Sequence, residues 1–256
     1  MNTHHLRRAM RTPTHRMILL AASLVGLIAP SAAAQVCTGA SSIPRGAFRL
    51  GGAIVTGERT RGQVIQLAVG STTAGRGPFA QLTGSRINRS DAFEADERAA
   101  RVDPAYRGEV ELGRSAPVAG IRDGAFCPVV RAAFTSGPEV TSGTGGDELE
   151  TEARTFEVAL GAWLGASLRA GRGSSLIPAL GARMVHEWGE VTNEGTAGGV
   201  AIDEAEDRRS TYAVVSMAIG AAMGGRVLLR PQLDIPVGHG GDRPILYLGG
   251  GLVIGP

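Results

Sequence analysis

This chain of 256 residues contains no lysine, and all 26 of its basic residues are arginine. Histidine is nearly missing too: beyond residue 34 only His186 and His239 remain. That excludes a histidine-rich metal site, and no Ser-centred elbow or phosphate-cradling glycine loop is present. His186 adjoins Glu187, but neighbours on a strand point to opposite faces, so the two do not form a base and its orienting partner. His239 lies in a turn-rich stretch with no chemistry around it. These gaps point away from an enzyme, and they leave no residues for a catalytic, cofactor or metal role. Aromatic residues are only 4% of the chain. Past the N-terminus no apolar run approaches the roughly 20 residues that a membrane-spanning helix requires.

What is present begins with an export signal. Arg7, Arg8, Arg11 and Arg16 precede an apolar run over 17–28, followed by Pro30 and the small residues 31–34. This is the layout of a cleaved signal peptide over 1–34, with Ala32 and Ala34 marking the cleavage site. Ala9 and Met10 fit a twin-arginine signal poorly, and Val36 before Cys37 does not fit a lipidation site. Removing the signal takes four of the 26 basic residues and none of the 24 acidic ones. The mature chain is thus slightly acidic and lacks the basic patch that a nucleic-acid partner needs. In an exported chain the only two cysteines, Cys37 and Cys127, are expected to form a disulfide.

The strongest signal downstream is alternation. From Phe156 to Ala170 apolar Phe156, Val158, Leu160, Ala162, Leu164, Ala166 and Leu168 interleave with Glu157, Gly161, Trp163, Ser167 and Arg169. A period of two over this length is a long strand with one apolar face. The same pattern, bounded by turn residues, predicts about ten strands, at 45–56, 62–72, 77–88, 106–114, 125–135, 155–170, 175–188, 211–223, 226–237 and 245–254, with eight as the alternative count. Connections after even strands are mostly short. Those after the third, fifth and seventh run to roughly 15 to 22 residues, which describes an up-and-down antiparallel meander with both termini on the short-turn side.

With its export signal, even-numbered meander, short turns at one end and long polar connections at the other, the chain resembles bacterial outer-membrane β-barrel proteins of the small up-and-down type. The resemblance spans the mature chain and is architectural. It implies an all-β transmembrane barrel over 45–256 after a periplasmic segment 35–44, located in the outer membrane, with apolar side chains toward lipid. Two features depart from the family: aromatics for interfacial girdles are few, and the chain ends Gly255-Pro256 rather than on an aromatic. A water-soluble secreted barrel binding a small apolar ligand is the alternative.

On the face opposite the apolar stripes fall Arg49, Arg107, Glu109, Glu111, Arg131, Glu157, Arg169, Arg183, Glu187, Arg230 and Asp234. A barrel of about ten strands is barely wider than its side chains, so these charges are expected to pair and plug the lumen, or else to line a narrow path for ions or small solutes. The three long connections carry acidic clusters: Asp91, Glu94, Asp96, Glu97 and Asp103; Glu139, Asp147, Glu148, Glu150 and Glu152; Glu190, Glu194, Asp203, Glu204, Glu206 and Asp207. Such carboxylates are either a solvated surface or hard donors for divalent cations that would bridge to lipopolysaccharide, although no spacing matches a calcium loop. Cys37 and the start of the fifth strand, at Cys127, fall on the same side, so a bridge fits the topology. Closing so long a loop is worth about 3–5 kcal/mol. The expected role is structural or adhesive, through the acidic extracellular connections.

Overall fold

The computed structural model describes residues 47–57, 60–70, 77–89, 99–144, 147–197, 199–224, 226–238 and 243–255. The stretch 1–34 read as an export signal, the segment 35–44, Cys37, His239 and the acidic residues Asp91, Glu94, Asp96 and Glu97 lie outside them. Every element is a strand: β1 (Phe48–Gly57), β2 (Thr60–Gly70), β3 (Gly77–Arg89), β4 (Ala99–Val102), β5 (Ala105–Pro117), β6 (Gly124–Thr144), β7 (Asp147–Ala166), β8 (Leu168–Gly171), β9 (Ser174–Ala197), β10 (Val200–Met223), β11 (Val227–Val237) and β12 (Ile245–Ile254). Two are short continuations of a neighbour. β4 extends the line of β5 and pairs with β6, and β8 extends β7 and pairs with β9.

The remaining ten close into an antiparallel barrel in the order β1-β2-β3-β5-β6-β7-β9-β10-β11-β12. Closure is by β1 on β12, from Phe48 opposite Ile254 to Gly57 opposite Ile245. No edge is left in the barrel wall, so the backbone pairs across every seam, which an apolar solvent demands. At the short-turn end Gly173 (φ +78°) and Gly224 (φ +60°) take the left-handed backbone that the tight reversals need. Gly224 donates its N–H to the Gly173 carbonyl at 2.7 Å, tying adjacent turns together.

The connections after the fifth and seventh predicted strands are not loops. β6 and β7 stay paired up to Thr144 opposite Asp147, and β9 and β10 up to Ala197 opposite Val200. A 24-residue strand such as β10 is about 80 Å long at ~3.4 Å per residue, well beyond what a bilayer covers. Period two fades from the sequence along β10 because both faces meet water there, so no apolar side marks the strand, while the backbone ladder continues regardless.

The alternation carries the side chains to the faces their pattern implies. Outward-facing Leu160 is 65% exposed and Ile65 68%, whereas inward-facing Arg49 is 4% and Asp234 5% exposed. Inside the short-turn end, Phe79, Cys127, Trp163, Ile177 and Leu228 pack with Ala125, Ala179, Ala218 and Ala222. Two of these aromatics rest on glycines: a Cβ on Gly181 would meet the Trp163 ring at 2.7 Å, and one on Gly113 would run into the Phe79 ring. Glycine in these strands is what lets a bulky ring lie flat inside a narrow barrel.

Candidate functional site: the barrel interior and its raised acidic sheet

Above the apolar cluster the interior is polar, and its charges come in pairs. Arg107 on β5 grips Glu157 on β7 with both terminal nitrogens, the Nη2–Oε2 contact being 2.7 Å. The same arginine lies 3.4 Å from Glu109, and Arg131 on β6 sits 3.2 Å from Glu109 and 3.7 Å from Glu157. Two arginines and two carboxylates thus form a closed quartet, the arrangement that buried charges need to offset their desolvation. A second group joins β9, β10 and β11: Arg183 donates to Asp234 at 2.7 Å and to Ser216 at 2.9 Å. Gln232 donates to the other Asp234 oxygen at 2.7 Å and accepts from Arg230. Arg49 donates to Gln81 at 2.8 Å, and Arg230 lies 5.7 Å from the Trp163 ring centre.

Nine of the eleven charges read from the sequence therefore fall on the inner wall within or beside these groups: Arg49, Arg107, Glu109, Glu111, Arg131, Glu157, Arg183, Arg230 and Asp234. Glu187 is half-buried on the same face, directly opposite Glu157 across the β7–β9 ladder. Arg169 departs: β8 is exposed throughout at the short-turn end, so this side chain is outside the interior. It shares the parity of the inner face, but the wall ends before it. Sequence reasoning missed the neutral inner-face residues Gln81, Ser216 and Tyr247, because an amide or hydroxyl there carries no signal until the arginine opposite is known.

A cavity of about 110 Å³ opens among these side chains, lined by Arg49, Arg230, Glu111, Gln81, Gln232 and Tyr247 with Ala53 and Gly249 as its small-residue wall. Cys127 at the foot of the barrel is fully buried and is not a free thiol. Among the described residues no group of histidines, cysteines and carboxylates is arranged for a metal.

The outer surface changes character at one level. Along β7 the outward positions run from Leu168 up to Phe156 without a charge, and then become Arg154, Glu152 and Glu150. Twelve residue steps are about 40 Å of strand, which rises about 30 Å at barrel tilt and matches a bilayer's hydrocarbon thickness. At the boundary Phe134, Phe156 and Trp188 stand side by side on β6, β7 and β9. The Phe156 and Trp188 rings stack at 5.7 Å, and His186, hydrogen-bonded with Thr211 at 2.6 Å, meets the Trp188 ring edge-on. On the adjoining strands β2, β3 and β5 the outward Gln63, Arg86 and Tyr106 stand in register with one another. Three aromatics are thus gathered into a local arc where lipid gives way to water.

The fold is that of an outer-membrane β-barrel. Comparison with solved structures agrees: the translocator domain of the autotransporter NalP from Neisseria meningitidis matches with a TM-score of 0.50 at 14% identity, over 94% of this chain and 95% of that one. The β domain of the Bordetella autotransporter BrkA gives 0.41 at 13% identity, over 81% and 98%. The RagAB peptide transporter gives 0.33 at 12% identity, over 75% of this chain and 30% of that one. No family model and no curated protein matches in sequence. The apolar belt also removes the soluble-barrel reading, since such a surface in water would far exceed the apolar patches of soluble monomers.

Beyond the belt β6, β7, β9 and β10 continue as one upright sheet. Its outer face bears carboxylates in register: Glu150 opposite Glu194, and Glu194 opposite Asp203; Glu139 opposite Glu152; Glu190 opposite Asp207. Arg154, well exposed, pairs with the half-exposed Glu152 at 2.8 Å. Like charges directly opposite each other across strands repel, so the sheet holds its acidic face against an electrostatic cost.

Proposed function

We propose that the protein is an integral outer-membrane barrel, closed to solutes, that works as a structural or adhesive element through the acidic sheet it raises outside the lipid. The observation that carries this reading is the in-register row Glu150, Glu194 and Asp203 on strands that outlast the apolar belt. A protein that needed only a pore would have no use for paired strands that far beyond the membrane. Three carboxylates at cross-strand spacing suit divalent cations, which take oxygen donors and can share them with the phosphates of lipopolysaccharide. The interior supports closure, because the apolar cluster joins side chains from β3 round to β11 across the short-turn end, and the Arg107, Arg131, Glu109 and Glu157 quartet projects inward from the β5–β7 wall above it. His186 is turned outward at the membrane boundary, away from the interior carboxylates, which supports a role without catalysis.

Binding to lipopolysaccharide vesicles with calcium or magnesium tests this. Purified protein should bind, EDTA should release it, and the triple variant Glu150→Gln, Glu194→Gln, Asp203→Asn should bind weakly with or without cation. Equal binding by the variant would reject the assignment. A narrow ion path is the second reading, favoured by the arginine-lined cavity. Planar-bilayer recording separates the two: the closed reading gives a silent membrane, whereas single-channel steps abolished by changing Arg183 or Arg230 would establish a channel.

A further inference from the structure

The raised sheet has two edges, and they end differently. On the β6 side Ala99, Arg101 and Val102 of β4 pair with Ser142, Thr141 and Val140. On the far side β11 stops at Val237, opposite Ala213, so among the described residues no strand pairs with the outer side of β10 from Val200 to Thr211. β10 runs there in unbroken register with β9. That leaves about 40 Å of extended backbone, at ~3.4 Å per residue, with alternate residues turning their N–H and C=O groups to the open side. Side-chain exposure follows: Asp203 through Arg209 are all exposed whichever face they occupy, whereas Val191, Thr192 and Asn193 on β9 are half-buried.

An edge of this kind templates another strand unless it is blocked, and the usual blocks include lysine, proline and bulges. The stretch 200–211 has none of these. It carries charge in a fixed order instead. Asp203, Glu204, Glu206 and Asp207 occupy the upper part, and Arg208 and Arg209 stand at the membrane boundary, Arg209 opposite Trp188. Glu206 holds Arg208 at 3.2 Å along the same strand, in solvent.

This order decides what the edge accepts. A second copy in the same membrane would have to pair in parallel, bringing carboxylates level with carboxylates and arginines level with arginines, which repel. A copy in a facing membrane, with Asp203 opposite Arg209, would set its tip against the lipid boundary and leave no height for headgroups. We propose that the open edge of β10 takes up, as an added antiparallel strand, an extended segment of an extracellular protein whose side chains are basic opposite Asp203 to Asp207. Main-chain hydrogen bonds supply the affinity and the carboxylates choose the sequence. The inference rests on the adhesive reading above and gives it a partner, but it needs no cation. Glu204 and Glu206 lie on the opposite face of the sheet from the row of Glu150, Glu194 and Asp203.

The test uses the full chain in phosphatidylcholine vesicles, with EDTA throughout. The probe is a fluorescent peptide of about twelve residues, threonine and valine with two glutamates followed by four lysines, so that an antiparallel strand sets its glutamates against Arg208 and Arg209. Binding should saturate and slow amide exchange along β10 above Thr211. A peptide with glutamate in place of lysine should not bind. Methylating one alternate set of peptide amides should abolish binding while the other set is tolerated, which a purely electrostatic contact would not produce. The double variant Glu204→Arg, Glu206→Arg should weaken the lysine peptide at least about tenfold and leave cation-dependent lipopolysaccharide binding unchanged. Absence of saturable binding, equal binding by the double variant, or tolerance of methylation on both sets overturns the proposal. Peptide binding alongside a failed lipopolysaccharide assay would uphold the strand site and reject the cation bridge alone.

Discussion

At the scale of single residues the interior sorts into interactions that matter and ones that do not. Glu157 accepts from Arg107 and faces Arg131 in a buried quartet, so Glu157→Gln leaves two guanidiniums short of charge and should cost about 3–5 kcal/mol. Glu152→Gln breaks the solvent-exposed pair with Arg154 and should change stability by less than about 0.5 kcal/mol. Urea unfolding of both variants in detergent micelles checks the contrast; comparable losses would contradict it. Gly181→Ala drives a methyl into the face of Trp163, whose ring is boxed in by the apolar cluster, and should cost about 1–3 kcal/mol in the same assay. The charged members of the interior were legible because a charge recurring opposite an apolar stripe has to point into the barrel once that stripe faces lipid. Gln81, Ser216 and Tyr247 were not, since their role exists only relative to arginines on other strands.

At the scale of elements, legibility followed the solvent. Where one face of a strand meets lipid and the other the lumen, the sequence alternates and β7 or β11 can be read directly. Where both faces meet water, in β6, β7, β9 and β10 beyond the belt, the hydrophobic period is lost and the residues alone read as loops. The structure makes them a continuous ladder, and their carboxylates acquire fixed neighbours. Replacing Glu150, Glu194 and Asp203 together with amides removes repulsion on one row and should stabilise the raised sheet by a few tenths of a kcal/mol per contact, seen as slower amide exchange at its tip. Faster exchange would show that the row is not held in register. At the foot of β6 the Cys37–Cys127 pairing remains a prediction of export: alkylation of the purified protein without reductant should modify neither thiol, and modification of both would refute it.

At the scale of the whole molecule one arrangement governs all others, with hydrocarbon side chains outside, guanidiniums and carboxylates inside, and the change from Phe156 to Arg154 marking the membrane surface. The barrel closes because β1 and β12 complete each other's hydrogen bonds, and the aromatic arc on β6, β7 and β9 marks its height in the membrane. The measurement that tests this most directly is oxygen accessibility of single spin labels placed in turn at positions 158 to 164 of β7 in lipid vesicles. Labels at Val158, Leu160, Ala162 and Leu164 should collide freely with oxygen dissolved in the bilayer and be shielded from a water-borne relaxant, while labels at Ala159, Gly161 and Trp163 should show low oxygen contact. Reversed alternation, or uniform access to the water-borne relaxant at all seven positions, would contradict the account.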